Sequence, residues 1–231
     1  MPRHPRFVRI THWVTTLAVF ALFVSGLEIV LSHPRFYWGE VGNVNTTPLF
    51  TIPLPSSRAT VPTGYSFVLA DQNGWSRFLH FQSAWLVLAA GLVYVLLGLR
   101  SGHFRHHLVP GRADRRWHAW RATILDHMRF SPAAFGATSS YNALQRVSYL
   151  IVVFVLFPLL IWTGLAMAPA VTAVLPATAT LLGGRQSART FHLLVTIALV
   201  GFTIVHVTMV SLAGFPARVR AMLGATPETP R

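Results

Sequence analysis

Hydrophobic positions in this chain gather in four long blocks, Trp13 to Leu31, Phe81 to Leu99, Val147 to Ala168 and Leu193 to Ala213. Each is close to the about 20 apolar residues that a helix needs to cross the hydrocarbon core of a bilayer. A helix that is apolar all round has no aqueous face. The pattern therefore predicts membrane helices at about residues 8–31, 78–99, 147–168 and 190–213. Glu28 is the one formal charge inside the blocks, near the end of the first, where a carboxylate reaches the interface. Pro158 falls inside the third and predicts a kink, since neighbouring helices re-satisfy the carbonyl that proline frees. The first block follows basic residues, as in a signal peptide. No clear small-residue cleavage site follows it, and the run is long enough to span. The expected fold is an all-α membrane protein, one domain over residues 1–231, built as a four-transmembrane-helix bundle.

Composition agrees with the blocks and adds an orientation. Of the 231 residues 53% are hydrophobic and 11% charged, and the net charge is +13. In a soluble chain such a charge would suggest nucleic acid. Here all 19 basic side chains are arginines lying between the apolar blocks, so the charge reports topology and no nucleic-acid partner is expected. Fourteen arginines lie in the N-terminal segment, the loop 100–146 and the C-terminal segment, against five in the segments between. By the positive-inside bias both termini and the loop 100–146 are cytoplasmic. The outer loop, residues 32–76, is rich in proline, glycine and aromatics without a helical period, and reads as an ordered cover or a docking surface for an outer partner. The shorter outer stretch, Pro169 to Gly184, is apolar but broken by Pro176, which suits an interfacial helix better than a span. No internal repeat of the inverted-transporter kind is present. The absence of cysteine excludes disulfides, thiolate-bound clusters and covalent CxxCH haem attachment.

Eleven histidines occur. His4, His33, His103, His106, His107, His118 and His127 lie in loops beside arginine and read as solvated or headgroup-facing. The other four sit at or inside the spans, where an ionisable side chain is costly and marks function. His192 and His206 are fourteen residues apart on the fourth helix. At about 100° per residue they face the same way, about 21 Å apart along the axis. Helix one enters from the cytoplasm with His12 at its start, and helix two enters from outside with His80 at its start. His12 therefore matches His206 in depth, and His80 matches His192. Imidazole pairs without thiolate or carboxylate suit the two axial positions of a haem iron, whereas zinc favours four protein ligands or an open site. Each pair can hold one b-type haem.

Gly26, Gly91, Gly164 and Gly201 lie within the spans. Small residues there admit a flat macrocycle, although they also serve ordinary helix packing. Arg9, Arg77 and Arg189 each precede a ligand histidine by three positions and share its helix face. Each guanidinium can reach a haem propionate or snorkel to headgroups.

The motifs RITHW (Arg9 to Trp13), RFLHF (Arg77 to Phe81), YNALQR (Tyr141 to Arg146) and FHLLVTIALVGFTIVH (Phe191 to His206) resemble the bacterial cytochrome b561 and nickel-hydrogenase cytochrome b family. That family includes the membrane gamma subunit of respiratory formate dehydrogenase. The resemblance covers nearly the whole chain. It implies His12 with His206 on a cytoplasmic-side haem b and His80 with His192 on an outer-side haem b, and it implies a quinone site at Asn142, Gln145 and His206. The segments SGHFRHHLVP and HPRFYWGEVGN look more like the cytochrome b subunits that accompany sulfite-oxidase-type molybdenum enzymes.

The expected function is electron transfer between a periplasmic oxidoreductase, of molybdenum-enzyme or hydrogenase type, and the quinone pool of the bacterial inner membrane. The chain would be a subunit of such an oxidoreductase rather than a complete enzyme. One alternative is a stand-alone homodimeric cytochrome b exchanging electrons between quinone and a small diffusible oxidant, and homo-oligomers are compatible with either reading. Another is a haem-free membrane anchor or metal-ion transporter, which would call for carboxylates along a path. Apart from Glu28 there are none in the spans.

Overall fold

The structure is a computed structural model that describes residues 4–43, 45–53, 72–111, 121, 125 and 143–224. In chain order the elements are α1 (Arg6–Ser32), β1 (Arg35–Phe36), β2 (Phe50–Thr51), α2 (Gln72–Arg100), a π-helical turn (Phe104–Leu108) and α3 (Ala143–Ile151). A second π-helical turn (Val152–Leu156) leads into α4 (Phe157–Met167), followed by α5 (Pro169–Val174), α6 (Ala177–Thr180), α7 (Arg185–Leu212) and α8 (Phe215–Leu223). Among the described residues four helical stretches are long and apolar enough to cross a membrane: Arg6–Ser32, Gly74–Arg100, Leu144–Met167 and Arg185–Leu212. The fold is all-α apart from one short ribbon, with four helical stretches able to span a membrane among the described residues.

Exposure along these helices fits lipid rather than water. Leu17, Phe20, Leu96 and Ile204 are each more than 60% exposed, an apolar surface that a soluble monomer does not present. Beside buried alanines and a few large apolar residues, small hydroxyl side chains are covered: Ser25, Ser76 and Ser187 fully, and Thr163 and Thr190 nearly so. Small hydroxyl residues let helix backbones approach where apolar burial gives no driving force.

The third span carries Pro158, and its irregularity lies in the turn just before it. The Phe157 N–H bonds the Val152 carbonyl, five residues back, across the π-helical turn. Proline lacks a donor and its ring would collide with the carbonyl four residues earlier; widening the preceding turn accommodates it.

The chain divides into two compact units. One comprises residues 1–13, 91–157 and 198–231. Here Gly98 accepts the Phe104 ring, whose atoms would lie 2.5 Å from a Cβ at that position. Phe104 also packs against Tyr94 and Phe154, at 5.4 and 5.1 Å between ring centroids. The Trp13 indole donates to the Met222 carbonyl and ties α8 to the start of α1.

The other unit comprises residues 14–90 and 158–197. In it Ala166, Ala179 and Ala188 form a close-packed cluster with Met167 and Leu182. The Pro169–Gly184 stretch folds into the short helices α5 and α6, and the Trp162 indole donates to the Thr178 carbonyl. The outer segment 33–51 forms a two-residue antiparallel ribbon, with Phe36 stacked on Phe50 at 5.1 Å. This segment caps the N-terminus of α7, whose first N–H groups have no partner within the helix. The Gln186 and Ser187 N–H groups donate to the Gly39 carbonyl, and the Arg185 N–H donates to the Glu40 carboxylate at 2.8 Å. Gly184 sits so close that a Cβ would lie 2.5 Å from the Gly39 backbone, and its φ is +114°, so only glycine fits.

Candidate functional site

Each unit holds one histidine pair. In the second unit His80 of α2 faces His192 of α7 with ring centroids 6.2 Å apart. In the first unit His12 of α1 faces His206 of α7 at 6.4 Å. A metal–imidazole bond of about 2 Å and a ring nitrogen about 1 Å from its ring centre put two imidazoles bound to opposite sides of one metal about 6 Å apart. Both pairs have that separation. Among the described residues no group of three or more histidines, cysteines, aspartates or glutamates is placed to hold a metal ion.

The His80 and His192 rings are oriented by buried hydroxyls. Ser25 Oγ is 3.1 Å from His80 Nδ1, and Thr163 Oγ1 is 2.8 Å from His192 Nδ1. The residue after each hydroxyl is glycine. A Cβ at Gly26 would lie 3.4 Å from His80 Cε1, and one at Gly164 would lie 3.7 Å from His192 Cε1. The glycines admit the rings, and the engaged Nδ1 atoms leave Nε2 of each ring for a metal.

The other pair is packed by aromatic rings. His206 stacks on Phe202 at 5.6 Å and 15°, and meets the Tyr149 ring edge-on at 6.1 Å. His12 meets Trp13 edge-on at 5.4 Å. Gln145 is partly buried on α3, one turn before Tyr149 and on the same helix face. Asn142 lies outside the described residues. A Cβ at Gly91 or Gly201 would meet no atom within 4 Å among the described residues.

The three arginines differ. The Arg9 guanidinium lies over Gly224, and its buried Nε has no hydrogen-bond partner among the described residues. An orphaned buried donor three residues before His12 suits a carboxylate of a bound group. Arg77 is exposed. Arg189 gives Nη1 to the Arg35 carbonyl at 2.9 Å and Nη2 to the His33 carbonyl, and stacks on Phe36 at 4.5 Å. It therefore anchors the outer segment to α7. The imidazole pairs, the glycines beside them and the free Arg9 donor together fit a flat, metal-centred group with acidic edges.

His103 departs from the solvated reading of the loop histidines: it is 7% exposed, edge-on to Phe7, Tyr94 and Phe104. Burial pushes its pKa down, and nearby His107 and His4 add to the effect. Sequence reasoning placed it beside arginines in a loop; the π-helical turn that Gly98 and Gly102 permit folds it back against the helices. Ser25 and Thr163 were also missed. The signal was the same hydroxyl-glycine step, Ser25-Gly26 and Thr163-Gly164, in two spans.

The model of the prokaryotic cytochrome b561 family matches residues 3–225. The chain is 31% identical over 225 residues to a putative protein-methionine-sulfoxide reductase subunit YedZ1 of Azospira oryzae, covering 95% of this chain and 94% of that protein. No solved structure matches.

Proposed function

The chain belongs to the prokaryotic cytochrome b561 family, membrane electron-transfer proteins that carry b-type haem, and from that premise we propose that it binds two such haems. His12 and His206 would hold one, and His80 and His192 the other. The observation that carries this reading is the near-equal separation of the two imidazole pairs, 6.4 and 6.2 Å between ring centroids, each that of two imidazole rings whose nitrogens meet one metal from opposite sides. Haem iron, when bound, supplies one-electron transfer. What the protein supplies is ligation, orientation and exclusion of water.

The His80/His192 pair belongs to the outer, periplasmic side by the arginine bias, and the His12/His206 pair to the cytoplasmic side. Arg9 is assigned to a propionate of the cytoplasmic-side haem and Arg77 to one of the outer-side haem. Arg189 is kept near that same group by its bonds to the outer segment. Quinone or quinol would react beside His206, with Gln145 and Asn142 orienting its oxygens and two protons exchanged with the cytoplasm for every two electrons.

The relative in Azospira oryzae is named as a subunit of a protein-methionine-sulfoxide reductase. Together with the outer-loop resemblance, this supports a periplasmic molybdenum oxidoreductase as the partner. The capped outer segment, held to α7 by Glu40, Ser187, Arg189 and Thr190, is the assigned docking side. Co-purification of the chain with that enzyme from the native membrane, followed by quinol-driven reduction of the haems, tests the assignment. Haems that quinol does not reduce would refute it.

A further inference from the structure

Resting on the two-haem reading, we propose that Ser25 and Thr163 are positioning residues that hold His80 and His192 as Nδ1–H tautomers, so that Nε2 of each ring binds the metal. A hydroxyl has one proton and two lone pairs. Ser25 Oγ lies 2.7 Å from the Ala21 carbonyl and 3.2 Å from the Leu22 carbonyl. Thr163 Oγ1 lies 2.7 Å from Leu159 and 3.2 Å from Leu160. A carbonyl only accepts, and two oxygens at 2.7 Å require a proton between them. The hydroxyl proton is thus committed to the backbone, and towards the histidine the same oxygen accepts. The proton of each Ser25–His80 and Thr163–His192 bond therefore belongs to Nδ1, and a neutral imidazole then carries its lone pair on Nε2.

Burial makes the arrangement rigid. Ser25 is 0% exposed and Thr163 1%, so no water replaces the hydroxyl. The adjoining glycines set the distance of the rings, and the hydroxyls set their rotation. A ligand histidine whose second nitrogen donates to an acceptor is more basic at the first. A more basic ligand favours the oxidised metal, so these hydroxyls lower the reduction potential at this pair. Among the described residues no Ser or Thr hydroxyl bond to His206 accompanies its packing by Phe202 and Tyr149. The two haems are thereby distinguished by protein groups.

The test uses purified full-length protein in detergent: wild type, Thr163→Val, Thr163→Ser and Ser25→Ala. Haem content per chain is measured first, then the midpoint of each haem by redox titration. Thr163→Val and Ser25→Ala are expected to raise one midpoint, shifting its reduction equilibrium two- to tenfold, where tenfold is about 59 mV for one electron. The other midpoint stays at its wild-type value, and Thr163→Ser restores the first. Loss of one haem in Thr163→Val with return in Thr163→Ser also supports the assignment. Unchanged midpoints in both Thr163→Val and Ser25→Ala, or equal effects of Thr163→Val and Thr163→Ser, would overturn it. Fewer than two haems in the wild type would instead refute the reading beneath it.

Discussion

His12 and His206 come from opposite ends of the chain, yet their rings face each other at 6.4 Å between centroids, within 0.2 Å of the separation of His80 and His192. Bringing two ionisable rings together inside the membrane-spanning helices is costly unless they serve a shared ligand. Their repetition at one spacing, once in each unit of the chain, is the geometry that the two-haem proposal expects.

Loss of a ligand should therefore act on one site only. His192→Ala is expected to lower haem content from two per chain to one and to leave the second midpoint in place. His206→Ala should remove the other haem and abolish quinone turnover. Retention of both haems in either variant, measured by pyridine haemochrome assay, would contradict the pairing.

Asn142→Ala is expected to retain both haems and slow quinone turnover about 10-fold, the effect of one lost hydrogen bond. Steady-state quinol oxidation with the haem content measured in parallel checks this. Unchanged turnover would remove Asn142 from the quinone site.

Gly184→Ala should destabilise the protein by about 1–3 kcal/mol, from backbone strain and overpacking. The added Cβ meets the Gly39 backbone, which cannot swing aside as a side chain would. Thermal unfolding in detergent should show a lower Tm, and an unchanged one would mean that the outer segment is not clamped to α7 as described.

The pH dependence of stability should carry a His103 component. Its pKa in the folded protein lies below its ordinary value of 6.5, chiefly through burial. The unfolded chain therefore binds the proton more readily. The contribution is complete above about pH 6.5 and is lost as the pH falls towards the folded pKa. His103→Gln should flatten the fall in stability between about pH 7 and 5. Parallel losses in wild type and variant would exclude this role.

The four spans and the depth-matched histidines were legible in the sequence because both depend on one-dimensional signals, block length and spacing from the membrane faces. What was not legible depends on pairing between distant segments. Ser25 is 55 residues from His80, and Thr163 is 29 from His192, so no local spacing joins them. The place of Arg189 before His192 suggests a propionate or headgroup partner, and its bonds to the His33 and Arg35 carbonyls emerge only once the outer segment is folded onto α7. The place of Pro158 was visible, but its consequence, a π-helical turn over Val152–Leu156, depends on how the surrounding backbone absorbs the missing donor.

Haem content per chain decides whether the four histidines hold two haems. For the detergent-purified wild type, a pyridine haemochrome assay with a dithionite-reduced minus oxidised spectrum should give two b-type haems per chain and the alpha band of bis-histidine iron. One haem would mean that a pair is misassigned, and none, in cells supplied with haem, would contradict the account.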